Sequence, residues 1–340
     1  MAQSKSRTIL PIAFIIALFY AIIFFHSSGR SAGPSFVRNY DLHEQDSIQP
    51  TDQVSLSTGN HDFAIATFLT GQAKDDSYFT ATRTLAYQVL HAPSTKIRNS
   101  SIAFVVLCSE SLEEDKRAQL REDGAIVAEV KDITLNSWIK VQVDRWKEQF
   151  TKLRVFEMTQ YRRVLYIDAD TLITKPMDDI FAEPEVASLA PTLFHRKDKI
   201  KDDEAELPKE WLFAARSDNA FLGERDHPVP PLQTNVLTAG FFMAAPDQKL
   251  FDHFLSVIKH EGRFDSWSME QSMLNYVFRR EGAMPWRELN WRWSATWPSE
   301  KDLDMGVHSL HEKFWVTGPQ KLTDMWKARR DEMLQFYGES

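Results

Sequence analysis

Between Phe63 and Ile167 four short apolar runs alternate with three longer amphipathic ones, and that alternation restricts the fold more than any other feature of the chain. Phe63–Leu69, Ile102–Cys108, Ala125–Val130 and Val164–Ile167 have the length and side-chain content of buried strands. Tyr78–His91, Leu112–Asp123 and Gln142–Met158 lie between them and carry the mixed pattern of helices. Strand–helix alternation predicts a mainly parallel sheet with helices on both faces. In such sheets ligands gather outside the carboxyl ends of the strands.

The last of these strands ends in two acids. Asp168 and Asp170 stand one residue apart directly after Ile167. Residues i and i+2 of a strand project together, so both carboxylates leave the strand end in one direction. At that separation they repel, and a cation is the natural remedy. A structural use stays open beside it, because either acid can cap the amino end of a following helix.

The amino-terminal run "ILPIAFIIALFYAIIFF", Ile9 to Phe25, is 17 residues without a charge. At about 1.5 Å per residue it just crosses a bilayer core of roughly 30 Å. Lys5 and Arg7 precede it and Arg30 follows, which favours a cytoplasmic amino terminus. The expected organisation is a cytoplasmic tail over 1–8, a signal anchor over 9–25, a flexible stem over 26–61 and one folded domain over 62–340. The rival is a cleaved signal peptide, whose apolar region usually runs about 7–15 residues. An anchor places the domain in the lumen of the secretory pathway, as a single-pass type II membrane protein.

The 340 residues, 43% of them hydrophobic, suffice for a large core without disulfides, and the single cysteine, Cys108, reads as a small hydrophobe in a buried strand. A net charge of -8 argues against nucleic acid as the main partner. Asn99-Ser100-Ser101 is an N-glycosylation sequon in a polar loop. Beyond Phe181, "HRKDKIKDDEAELPKEW" reads as a mobile surface loop, and "LTAGFFMAAP" as another buried strand. Helices are expected over Gln248–His260, near Glu270–Arg280 and, briefly, at the final "MLQFYGES". Four tryptophans between Trp286 and Trp297 suit either a core or a sugar-stacking surface.

The stretch "RRVLYIDADTLITKPMDDIF" reads as strand, acid pair, strand-like "TLI" and a short helix start. With "FTKLRVFEMTQY" upstream it resembles glycosyltransferase family 8, the glycogenin-like retaining transferases that use nucleotide-sugar donors, and among them the membrane-anchored fungal-type members. The likeness covers roughly Phe63 to Trp315. It implies an α/β, Rossmann-like GT-A catalytic domain.

It also implies site residues. Thr67 falls at the uridine and Tyr78 on the uracil face, although Tyr78 by itself is equally an ordinary aromatic at a helix start. Lys152 falls at a phosphate- or sugar-contacting lysine, and Asp168, Ala169 and Asp170 at the D-x-D. In "LTAGFF" Gly240 keeps a close backbone approach, while Thr238 and Ala239 depart from the family's N-S-G. "SMEQSMLN" places Glu270, for the family's aspartate, beside Gln271 as the catalytic pair. "MPWRELN" carries Asn290 to the acceptor side. "GVHSLHEKFW" gives His308 as the third metal ligand and Lys313 as a diphosphate contact, with His311 where the family has glycine and a spacing one residue shorter.

Together these imply Mn²⁺ held by Asp168, Asp170 and His308, with donor diphosphate oxygens completing its shell. The partners are a UDP-sugar, with UDP-GlcNAc plausible and UDP-glucose and UDP-galactose open, and a glycan acceptor. Glu270 is either a nucleophile or a stabiliser of an oxocarbenium-like state. The alternatives are a nucleotide-sugar hydrolase using the same donor site and a membrane-tethered glycan-binding module without turnover.

Overall fold

The computed structural model of the chain describes residues 61–71, 75–140, 144–220 and 223–339. The expected tail and anchor, and the stem up to residue 60, lie outside the described residues. No helix among the described residues is long and apolar enough to cross a membrane.

The chain builds an α/β domain around a mixed sheet. Strands β1 (Phe63–Leu69), β2 (Ile102–Ser109), β3 (Ile126–Val130) and β4 (Arg163–Ile167) run parallel. Helix α1 (Ser77–Leu90) joins β1 to β2 and α2 (Glu114–Glu122) joins β2 to β3. Every residue of β2 and nearly all of β1 is buried, as strands covered on both faces must be. The expected helix over Gln142–Met158 is instead a 3-10 segment, Asp144–Glu157. After β4 come β5 (Thr171–Ile173), the short α3 (Pro184–Ala187), and a two-stranded ribbon of β6 (Ala190–Pro191) and β7 (Glu210–Trp211).

The second half departs from the mainly parallel expectation. β8 (Phe213–Ser217) and β9 (Leu237–Ala244) are antiparallel to each other, and β9 is antiparallel to β4. No helix among the described residues joins β8 to β9, so the connection lacks the crossover that a parallel pair requires. With β10 (Arg287–Glu288) at the edge, the seven-stranded order is β10-β8-β9-β4-β1-β2-β3. α4 (Gln248–Ile258) and α5 (Met269–Val277) cover one face. There Phe156, Phe213, Phe242, Phe254 and Phe278 interlock, with Phe213 and Phe278 stacked at 4.0 Å between ring centroids. A three-stranded sheet joins β5 to β12 (Ser309–His311) and β12 to β11 (Ala295–Thr296), and α6 (Glu300–Asp304) lies between those last two in sequence.

Two expectations need correction here. The charged insert is tied down: Glu204 accepts from Arg263 and Tyr276, Arg279 donates to the Lys199 carbonyl, and Arg196 donates to the carbonyls of Arg280 and Gly282. These bonds reach residues more than 50 positions away, so local charge density was no guide to order. The terminal helix, α7 (Gln320–Phe336), is 17 residues long rather than short. It buries Leu322, Trp326 and Met333, and a buried arginine of α1, Arg83, joins the segment after it to the rest by pairing with both Asp123 and Glu339 at 2.6 Å. Of the four tryptophans, Trp286 and Trp293 belong to the core.

Candidate active site

β4 delivers Asp168 and Asp170 to the carboxyl end of the parallel strands, and the backbone around them is pinned twice. The Asp168 N–H donates to the Gly240 carbonyl at 2.9 Å, and the Asp170 carbonyl accepts from the Glu312 N–H at 3.0 Å. Ala169, between them, is buried against a separate apolar cluster with Ala81, Leu172 and Leu310. The intervening side chain therefore points away from the acids, as strand alternation requires.

The third member is His311. β5 and β12 pair antiparallel with Thr171 opposite His311, which carries the imidazole to the acids. Its Nε2 lies 3.1 Å from Asp170 Oδ1 and 3.8 Å from Asp168 Oδ2. One donor atom from each of Asp168, Asp170 and His311 lies within 4.8 Å of the others, the spacing a shared cation needs. Gly240 makes the approach possible: a Cβ there would stand 2.5 Å from His311 Cε1 and 2.9 Å from Asp168 Oδ2. Burial opposes charge on the imidazole, but Asp170, with Asp168 behind it, raises His311 to about 9. Burial likewise opposes charge on Asp170, yet His311, helped by Lys313, holds its carboxyl down at about 2.

His308, the histidine expected at the metal, is not in this group. Three positions before His311 it falls on the opposite side of the strand, because side chains alternate. Its Nδ1 bonds the Pro176 carbonyl at 3.0 Å and its ring packs on Trp293 at 4.4 Å between centroids. The residue standing where the family has glycine takes the place next to the acids.

Behind the acid pair lies a buried charge relay. Lys152 Nζ sits 3.1 Å from Asp168 Oδ1 and 2.9 Å from Glu270 Oε1. The Tyr166 hydroxyl donates to the same Asp168 oxygen at 2.8 Å. Burial works against the Lys152 charge, but the two carboxylates raise it well above the ordinary lysine range. Burial raises Glu270, with Lys152 opposing. Gln271 holds the start of α5 against β9: its Oε1 accepts the Ala239 N–H and its Nε2 donates to Asp218. Met269, just before Glu270, has φ 51°, a strained backbone for a side-chain-bearing residue. Asp218, Tyr166 and Met269 escaped the sequence reading, since none belongs to a recognisable spacing.

On the other side of the acids, Tyr78 stands edge-on to Trp315 at 5.3 Å and Lys313 Nζ lies 5.8 Å from the Tyr78 ring centre. Tyr78 and Lys313 both fall within the electrostatic reach of Asp170. Thr67 is wholly buried, and its hydroxyl has no hydrogen-bond partner among the described residues. Asn290 is exposed and caps a 3-10 turn by accepting the Arg292 N–H at 3.1 Å. Its position is thus accounted for by local structure.

Uncharacterized protein C4C3.09 of Schizosaccharomyces pombe is 31% identical over 292 residues, covering 78% of this chain and 76% of that protein. Uncharacterized protein C5H10.12c of the same yeast is 30% identical over 305 residues, covering 79% of each. The chain belongs to the same family as these two proteins. A shorter stretch of this family member, 106 residues or 31% of the chain, is 30% identical to 18% of the Arabidopsis thaliana inositol phosphorylceramide glucuronosyltransferase 1. Over that stretch the chain is homologous to a glycosyltransferase. Among solved structures, the galactosyltransferase LgtC with donor and acceptor sugar analogues aligns over 79% of this chain and 95% of its own, at 15% identity and a TM-score of 0.46. No family model matches the chain.

Proposed function

We propose that this chain is a retaining glycosyltransferase of GT-A type that moves a hexosyl or N-acetylhexosaminyl residue from a UDP-sugar to a glycan acceptor, and that it belongs to glycosyltransferase family 8. The observation that carries it is the Asp168–Asp170–His311 group at the carboxyl end of the parallel strands. Two carboxylates and an imidazole suit Mn²⁺. The charges fit as well: three carboxylates against the Lys152 ammonium leave a surplus matching a divalent ion once His311 is neutral. The absent Cβ of Gly240 leaves the cradle open.

Asp168, Asp170 and His311 would hold such an ion, which would supply Lewis acidity toward the diphosphate leaving group. The protein's own groups do the rest. Lys313 adds positive charge at the leaving group from the Tyr78 side. Tyr78 and Trp315 offer aromatic surface to the base. Lys152 neutralises Asp168 from behind and keeps its carboxylate aimed outward. Glu270 acts through Lys152, not as a nucleophile, because its Oε1 is held at 2.9 Å and its side chain is 5% exposed.

The enzyme sits in the Golgi membrane with the catalytic domain lumenal, a placement supported by the uncharged run Ile9–Phe25 and its flanking cations. The test is a UDP-sugar panel, led by UDP-GlcNAc, incubated with the protein, Mn²⁺ and a mixed glycan acceptor, with products read by mass spectrometry. Acceptor extension with retained anomeric configuration supports the function. Free sugar with no extension makes it a hydrolase, and no UDP release from any donor sinks both.

A further inference from the structure

We infer that Asn99 carries an N-linked oligosaccharide, at the end of the domain remote from the site and beside the point where the chain enters the fold. This rests on the lumenal placement of the domain. Asn99-Ser100-Ser101 has the acceptor pattern with a non-proline middle residue, and its position in the fold suits a glycan. Asn99 and Ser100 are both exposed. The Asn99 side-chain oxygen accepts the Ser101 N–H at 2.9 Å, and its Nδ2 makes no hydrogen bond among the described residues. The turn is fixed rather than loose, since the Asp178 carboxylate accepts both the Arg98 and the Asn99 N–H, at 2.7 and 2.8 Å.

Position makes the modification compatible with catalysis. Asn99 precedes the amino end of β2, whereas Asp168 follows the carboxyl end of β4, which runs parallel to it through β1. By strand register Asp168 lies level with Leu107, five residues beyond Ile102, so about 17 Å of sheet separates the two ends. The start of the described domain is at the glycan end: His61 Nδ1 bonds the Ser100 carbonyl at 2.8 Å and the Phe63 N–H donates to Ser101. A glycan there is tethered beside His61, the first of the described residues, and leaves the opposite mouth clear.

The transfer joins Asn99 Nδ2 to C1 of an oligosaccharide carried on a lipid diphosphate. The C1–O bond to the diphosphate breaks, the lipid diphosphate leaves with the electron pair, and the amide gives up one proton. The chain is modified during translocation, before the turn closes, and the folded turn keeps the sugar in solvent.

The experiment expresses the full chain in eukaryotic cells and follows its mobility before and after treatment with a peptide:N-glycosidase, with peptide mass spectrometry at residue 99. The expected result is a single mobility shift, with aspartate replacing asparagine at 99 after release. Asn99→Gln and Ser101→Ala should each remove the shift, while Ser101→Thr, which keeps the acceptor hydroxyl, should retain it. Transfer activity in Asn99→Gln should equal the wild type. A protease-protected, membrane-inserted chain with unmodified Asn99 overturns the inference alone. A chain whose domain is digested from the cytosolic side overturns the inference and the lumenal placement together.

Discussion

The acid corner after β4 and the histidine of β12 meet at one site but are held there in different ways. Asp168 and Asp170 ride on the end of a five-residue strand inside the main sheet, and backbone bonds to Gly240 and Glu312 fix them. His311 rides on a three-residue strand, outside the main sheet, whose position depends on pairing with β5 on one side and β11 on the other. A one-residue slip of that pairing would turn the imidazole to the other face, since strand side chains alternate. The comparison teaches that the carboxylate half of the site is built into the core, while the histidine half is set by register.

The sharpest break of the carboxylate half is Asp168→Asn or Asp170→Asn. Each should abolish transfer while leaving the domain folded, because each removes a charge at a strand end. Thermal unfolding with Mn²⁺ and UDP checks it: the wild type should gain stability by ligand linkage and the variants should not. Equal stabilisation of the variants would refute the metal assignment.

Next in size is Lys152→Met, which strands two carboxylates that the ammonium now joins. Breaking a buried ion pair from one side costs about 3–5 kcal/mol, and denaturant unfolding should show a loss of that order. A loss no larger than that of an exposed lysine would mean that the relay contributes nothing to the fold.

The histidine half is tested by a pair. His311→Ala should weaken Mn²⁺ binding at least by the ~10–100-fold seen when an outer-shell partner is removed. His308→Ala should leave Mn²⁺ affinity unchanged and cost only its packing on Trp293 and its bond to the Pro176 carbonyl. Reversal of the two in a titration calorimeter would restore His308 as the ligand.

Gly240→Ala touches both halves at once, since its Cβ meets His311 and Asp168. Overpacking of this kind costs about 1–3 kcal/mol, and Mn²⁺ affinity should fall along with stability. A stable variant with intact metal affinity would show that the cradle yields freely.

The smallest effect is one of pH in metal-free protein. His311, raised from 6.5 to about 9, contributes stability that is complete below 6.5 and lost as pH climbs through about 9. Asp170, lowered from 3.8 to about 2, contributes stability present above 3.8 and lost as pH falls through about 2. The stability gap between wild type and His311→Gln should therefore be widest near pH 6 and narrow toward pH 9. Mn²⁺ affinity should run the other way, rising with pH as the imidazole loses its proton. A gap that stays constant over that range would rule out the His311–Asp170 pair.

Much of the first half was legible because its signals are local. The four strands appear at or within a residue or so of their expected positions, and the acid pair lies at the strand end where alternation put it. The charged insert was illegible for the opposite reason, its order coming from Arg263, Tyr276 and Arg279 far along the chain. Lys152 shows an intermediate case. Motif position brought it to the site, but only the fold placed it between Asp168 and Glu270, behind the acids, and not free at the donor.

What the sequence determined by itself is therefore the parallel strand set, the paired carboxylates and the glycine at 240, each fixed by residue type and near neighbours. The tertiary structure decided the reversal of β9, the burial of Lys152 and Glu270 as a pair, and the choice of His311 over His308. The physical reason is register. Two histidines three residues apart look alike in a motif, but on a strand they face opposite ways, and only the partner across the sheet says which one meets the acids.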